Sequence, residues 1–91
     1  MNLQIEHQAE RGRFQVVVEG HVCVTEYRLA GGVLAITHTE VAPELGGRGI
    51  AGALMEAVLA YATAQGLKVS PLCSYARSYM QRHPETQSLL A

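Results

Sequence analysis

Over the first forty residues hydrophobic positions alternate with polar ones, and beyond Pro43 they return every three or four residues. The change of period marks a change of element, because strand side chains repeat every two residues and helix side chains every 3.6. Leu3, Ile5 and His7 alternate with Gln4 and Glu6. Arg13 to Glu19 holds Phe14 and a Val16-Val17-Val18 core, and the runs Val22 to Leu29 and Val33 to Val41 follow. The breaks between them, Glu10-Arg11-Gly12, Glu19-Gly20-His21 and Ala30-Gly31-Gly32, each carry the glycine that a tight turn uses. Four strands in an antiparallel meander are therefore predicted.

After Pro43, Ile50, Leu54, Val58 and Ala62 recur every four residues with Ala51, Met55 and Leu59 beside them. This predicts a helix from Arg48 to Gln65, capped at Gly66. So few of its positions are polar that most of its circumference must be covered, which lays it on the face of the sheet. Leu67 to Ser70 alternate again as a fifth strand. A strand, a helix and a strand in succession form a right-handed crossover, which sets the fifth strand parallel to the fourth. Ser74 to His83 reads as a second helix closed by Pro84, with Glu85 to Ala91 as a short tail. The predicted fold class is α+β, with a mixed α/β sheet, in one domain spanning residues 1–91.

Composition narrows the function classes. A chain of 91 residues supports one core, and 48% hydrophobic with 16% charged residues describes a folded chain rather than a disordered one. Seven basic and eight acidic residues nearly cancel to −1, which argues against nucleic acid or an anionic membrane as partner. Cys23 and Cys73 are not accompanied by a charged and apolar leader at Met1 to Glu10, so a reducing, cytoplasmic setting is expected. No apolar run reaches the roughly 20 residues of a bilayer span.

The most informative stretch is Glu44-Leu45-Gly46-Gly47-Arg48-Gly49-Ile50-Ala51-Gly52-Ala53-Leu54, a glycine-rich loop leading straight from a strand into a helix. Small residues let a ligand approach the backbone, and the first-turn N–H groups have no intrahelical partners, so phosphate or pyrophosphate fits there. The bland alternative is that the glycines only turn the chain and let helix and sheet pack closely. Gly47 to Gly52 spells G-x-G-x-x-G, but a dinucleotide site also needs a parallel unit from the first strand and an acidic residue about 20 positions on. No acidic residue lies between Glu56 and Glu85. A nucleoside-triphosphate loop is excluded because no Gly-Lys-Ser or Gly-Lys-Thr follows.

The loop instead resembles that of the GNAT superfamily of acyl-CoA-dependent N-acyltransferases, [Gln or Arg]-x-x-Gly-x-[Gly or Ala]. Gly46 to Ala51 fits at Gly49 and Ala51 and departs at Gly46, where Gln or Arg is usual. The similarity is closest to the small single-domain, YjdJ-like branch. It extends over His38-Thr39-Glu40-Val41-Ala42-Pro43, Gly47-Arg48-Gly49-Ile50-Ala51, and Leu67-Lys68-Val69-Ser70-Pro71-Leu72-Cys73 with Tyr79 and His83-Pro84-Glu85. By resemblance, the cofactor is acetyl-CoA (coenzyme A). Gly47, Arg48, Gly49, Ile50 and Ala51 would hold its pyrophosphate, and Glu40 and Val41 would pair with the pantetheine arm. Cys73, Ser74 and Tyr79 would line the rest of the site, and Tyr79 fits the tyrosine that often protonates the CoA thiolate. The chain lacks the superfamily's usual helices between the first two strands and stops before its last two strands, pieces that usually build the acceptor pocket.

N-acyl transfer requires a base for the amine proton, a donor for the oxyanion and an acid for the leaving thiolate. His38 and Glu40 are two apart on the fourth strand and share a face, so either can relay a proton, or both simply meet solvent at a strand end. Cys73 precedes the second helix, whose N-terminus favours a thiolate; it can contact the acyl group, carry it, or act as a small hydrophobe. Cys23, inside an alternating strand, reads as core. Tyr75 and Tyr79 are four apart on one helix face and serve either as acids or as aromatic packing. His38, Glu40, Cys73 and His83 match no zinc spacing, so no metal is expected. The expectation is an N-acetyltransferase acting on a primary amine, a small molecule or a protein lysine or N-terminus, as monomer or weak homodimer. The alternative is a CoA-binding module with little or no catalysis.

Overall fold

The computed structural model describes residues 2–91. Five strands, β1 (Glu6–Gln8), β2 (Arg13–Val18), β3 (His21–Ala30), β4 (Val33–Glu40) and β5 (Lys68–Pro71), lie side by side in chain order. The first three pairings are antiparallel and β4 runs parallel to β5, with Val33 opposite Lys68 and Ile36 opposite Pro71. Helix α1 (Ile50–Ala64) makes the crossover and α2 (Ser74–Arg82) follows β5. The mixed α+β sheet anticipated from the hydrophobic pattern is the observed one.

Strand pleating decides what each face carries. Phe14, Val16, Cys23, Tyr27, Leu34, Ile36 and Val69 turn to one face and meet Leu54, Met55, Val58 and Ala62 of α1 and Ala76 and Met80 of α2 in a single buried cluster. Arg13, Gln15 and Glu26 turn the other way, and there the directly opposed Val17 and Val22 are 56% and 53% exposed. Leu54, Met55 and Val58 are fully buried. Burying each such side chain stabilises by about 1.5–3 kcal/mol, so the sheet fixes where the N-terminus of α1 sits.

Several boundaries differ from the sequence expectation for identifiable reasons. Helix α1 begins at Ile50 rather than Arg48, because Gly49 has φ 79° and closes the loop in the left-handed region. Only Glu6–Gln8 pair with β2, while Leu3 and Ile5 pack against the core from outside the ladder. The tail is ordered. Pro84–Leu89 forms a 3-10 turn held by the Thr86 hydroxyl donating to the His83 carbonyl at 2.7 Å, and the Ala91 N–H donates to the Val69 carbonyl at 2.9 Å. Leu90 thereby bridges Val69 in parallel.

At the end of the sheet where β1 pairs with β2, His7 stacks on Phe14 with centroids 4.1 Å apart and hydrogen-bonds the Tyr27 hydroxyl. Gly12 lets the turn before β2 close on the same tyrosine: the Tyr27 N–H donates to the Gly12 carbonyl at 2.8 Å, and a Cβ on Gly12 would stand 2.8 Å from the Tyr27 carbonyl oxygen. Gly12 also has φ 62°. Gly12→Ala is expected to cost about 2–4 kcal/mol in urea unfolding, from left-handed strain plus a backbone clash. Gly20→Ala, at φ 81° in open space, should cost about 1 kcal/mol. Equal losses would mean that the close approach at Gly12 contributes nothing.

Candidate functional site

The register of β4 changes part-way along. Tyr27 opposes Ile36 and Glu26 opposes His38, so Thr37 is an extra residue without an opposite number, a β-bulge. The bulge exchanges the faces. Leu34 and Ile36 point into the core before it; after it Thr39 points inward to the buried Thr25, with hydroxyls 3.3 Å apart, and His38 and Glu40 point out to solvent.

The β4–β5 ladder ends at the same place. The Ile36 carbonyl accepts from both Leu72 N–H at 3.0 Å and Cys73 N–H at 3.1 Å; β5 ends at Pro71, opposite Ile36, and β4 runs on to Glu40 without a parallel partner. Beyond that point Thr39 Oγ1 approaches Cys73 Sγ at 3.8 Å. Cys73 is the N-cap of α2, its sulfur accepting from the Ala76 N–H at 3.4 Å, and Ser74 is the first residue of that helix.

A cleft of about 290 Å³ is floored by the glycine loop. Val41, Gly47, Gly49, Ile50 and Ala51 line it, and Tyr75 closes the opposite side. No side chain caps the N-terminus of α1, so the first-turn N–H groups lack both intrahelical acceptors and a cap. Free donors, the positive end of the helix dipole and the absence of bulky side chains make a cradle for a phosphate group.

The other anticipated residues, Glu40, Arg48, Cys73, Ser74 and Tyr79, are not among those that line this cleft. Glu40 and His38 interact at 3.2 Å on the exposed side of β4. Arg48 does not line the cleft; its guanidinium is turned to Glu19 in the β2–β3 turn. Tyr79 is 8% exposed and packs one turn farther along α2 than Tyr75, and its ring lies under the His83 imidazole, centroids 3.9 Å apart. Burial first, then Glu56, Tyr75 and Glu85, push the Tyr79 hydroxyl upward, and burial does the same for Tyr75, so both keep their protons at neutral pH. His83 Nδ1 donates to the Tyr79 carbonyl at 2.7 Å. Among the described residues no three His, Cys, Asp or Glu side chains converge as a metal site would require.

Of the two tyrosines that the helical spacing pairs, Tyr75 lines the cleft, and both rings approach Gly52: a Cβ there would stand 3.8 Å from the Tyr75 hydroxyl and 4.0 Å from Tyr79 Cε2. The helical spacing held both tyrosines and could not rank them. The bulge at Thr37 has no glycine or proline to announce it.

A family model described as GCN5-related N-acetyl-transferase matches residues 13–89. The chain belongs to the GNAT superfamily. Curated relatives are the proteins named NATD1 of Gallus gallus and Mus musculus, 33% and 32% identical over 96% of this chain and 82% of theirs. A GCN5-like protein of Staphylococcus aureus solved by NMR superposes with a TM-score of 0.80 at 27% identity, covering 99% of this chain and 89% of that one. In this GNAT chain no helix among the described residues is long and apolar enough to cross a membrane.

The Arg48 pair has a measurable signature. The hydrogen bond from Arg48, then its charge, hold the Glu19 carboxyl below the ordinary 4.5. Folding therefore favours the ionised form, and the pair's contribution is present above the ordinary carboxyl range and lost as pH falls through the lowered midpoint. Carbon-detected NMR titration should place the Glu19 midpoint below 4.5, and Arg48→Gln should return it toward that value.

Proposed function

We propose that this GNAT chain is an acetyl-CoA-dependent N-acetyltransferase that moves the acetyl group to a primary amine by direct attack within a ternary complex. The observation that supports the proposal is the cleft that the glycine loop, Val41 and Tyr75 form at the uncapped N-terminus of α1, next to a β4 end that has no parallel partner beyond Ile36. The cleft suits a pyrophosphate, and the backbone that precedes Val41 on β4, unpaired with β5, suits a thin, amide-bearing arm.

In this reading the backbone N–H groups of Gly47 to Ala51 hold the pyrophosphate and Arg48 contributes charge. The backbone of Glu40 and Val41, beyond the end of the β4–β5 ladder, takes the pantetheine amides as an added strand would. Bound acetyl-CoA supplies an acetyl group activated as a thioester. Cys73, Ser74 and Thr39 surround the reacting end. The amine enters from the outer side of β4, where Glu40, with His38 beside it, accepts its proton and frees the lone pair for attack on the thioester carbonyl. As the carbon–sulfur bond breaks, a tyrosine hydroxyl of α2 gives its proton to the departing sulfur. Resemblance assigns that role to Tyr79, and its exposure to the cleft makes Tyr75 the competing candidate.

Calorimetric titration with acetyl-CoA, beside NAD and ATP at equal concentrations, tests the cofactor. Saturable binding of acetyl-CoA alone is expected, weakened at least about tenfold in Gly49→Asp, which sets a carboxylate against the pyrophosphate; a Cβ there meets nothing within 4 Å, but φ 79° adds left-handed strain, so the variant's unfolding is measured beside its binding. Equal weak binding of all three removes the cofactor reading. Amine-dependent CoA release then separates enzyme from binding module. At least one of Glu40→Gln, Cys73→Ala, Tyr75→Phe and Tyr79→Phe should cut turnover about tenfold or more with binding nearly unchanged. If none does, the chain is a CoA-binding module.

A further inference from the structure

Arg48 is the sole Arg or Lys between Arg28 and Lys68, so it is the one full positive charge the glycine loop brings to an anion. It is already taken. Its guanidinium donates to Glu19, which sits in the two-residue turn joining β2 to β3.

Glu19 is an unusual occupant of that turn. Glu19 and Gly20 have φ 50° and 81°, and Glu19 is the one non-glycine residue with positive φ among the described residues. Turns with two positive φ values favour Asn, Asp or Gly, whose backbones reach that region at least cost. Asn would serve the turn better than glutamate. What glutamate adds is a longer stem that carries a carboxylate to the loop. A local conformational cost kept beside a candidate site points to a use for the side chain. The next residue but one extends the contact: His21 Nε2 lies 3.9 Å from Glu44, at the start of the loop. Where hairpin and loop meet, Glu19 thus faces Arg48 and Glu44 faces His21.

We propose that Glu19 is a resident counter-ion for Arg48, which a phosphate group of the cofactor must displace, so that this exchange sets the affinity of the site. The proposal deepens the cofactor reading of the glycine loop and rests on it. Both partners are in contact with water, Arg48 36% and Glu19 63% exposed, so the pair opens readily. A phosphate, with more negative charge and bidentate geometry, outcompetes a single carboxylate oxygen. Until then Glu19 prevents the loop from holding weaker anions, and when product leaves it takes back the guanidinium.

The test uses the full chain, with coenzyme A and inorganic pyrophosphate as probes in calorimetry. Glu19→Gln and Glu19→Asn are expected each to tighten binding of both probes about three- to tenfold. Glu19→Asn should also raise Tm, since Asn suits the turn, which guards against a folding defect. In an Arg48→Gln background the gain from Glu19→Gln should fall below about twofold. An equal gain in that background would reduce Glu19 to general repulsion, and weaker binding in Glu19→Gln would make it a support for Arg48; either overturns the proposal. Coenzyme A binding that Glu19→Gln leaves unchanged overturns it while the cofactor reading stands. Tighter pyrophosphate binding without coenzyme A binding keeps the counter-ion and removes the cofactor reading. No binding of either probe by any variant removes both.

Discussion

Ile36 ends the pairing of β4 with β5 by offering one carbonyl to two N–H groups, those of Leu72 and Cys73, and the candidate site depends on β5 stopping there while β4 runs on. A parallel ladder continued for a few more residues would occupy the backbone of Thr37 to Glu40. The bulge at Thr37 has the complementary effect, increasing the local twist and turning the strand away from its neighbour. Together they leave the last residues of β4 as an open edge next to the terminal strand. An open edge is normally a hazard, because it invites pairing with other chains; here α2 and the glycine loop flank it, leaving room for a slender ligand rather than for a second sheet.

The second contribution is rigidity. Helix α1 has few polar positions, and its Leu54, Met55 and Val58 are fully buried against the sheet. Its N-terminus is therefore fixed relative to β4, and its uncapped N–H donors are held in place by the packing of the helix alone. Gly49 contributes by turning the chain in the left-handed region immediately before the helix, which leaves the cleft floor free of a capping side chain.

How much of this was legible in the sequence follows from the range of each interaction. Alternation at Phe14, Val16, Cys23 and Tyr27 and the four-residue recurrence at Ile50, Leu54, Val58 and Ala62 are local, and they placed every strand and helix within a few residues. The glycine loop was legible because backbone conformation demands glycine. The bulge was not, since Thr37 is an ordinary strand residue and the extra position exists only relative to β3. Nor was the Glu19–Arg48 pair, which joins two turns far apart in sequence. The tail from Glu85 onward has no hydrophobic period to read, and its order comes from capping by Thr86 and from one backbone hydrogen bond to Val69.

The parallel pairing of β4 with β5 has a kinetic consequence. Its partners, Val33 with Lys68 through Ile36 with Pro71, are the most distant in sequence of any in the sheet, with α1 lying between them. The hairpins β2–β3 and β3–β4 close short loops and form on a fast timescale, whereas this pairing carries the greatest loop-closure entropy and waits for α1 to dock. The walls of the cleft therefore meet late in folding. A ligand spanning them binds only the completed sheet, so by mass action its presence holds shut the seam that took longest to close.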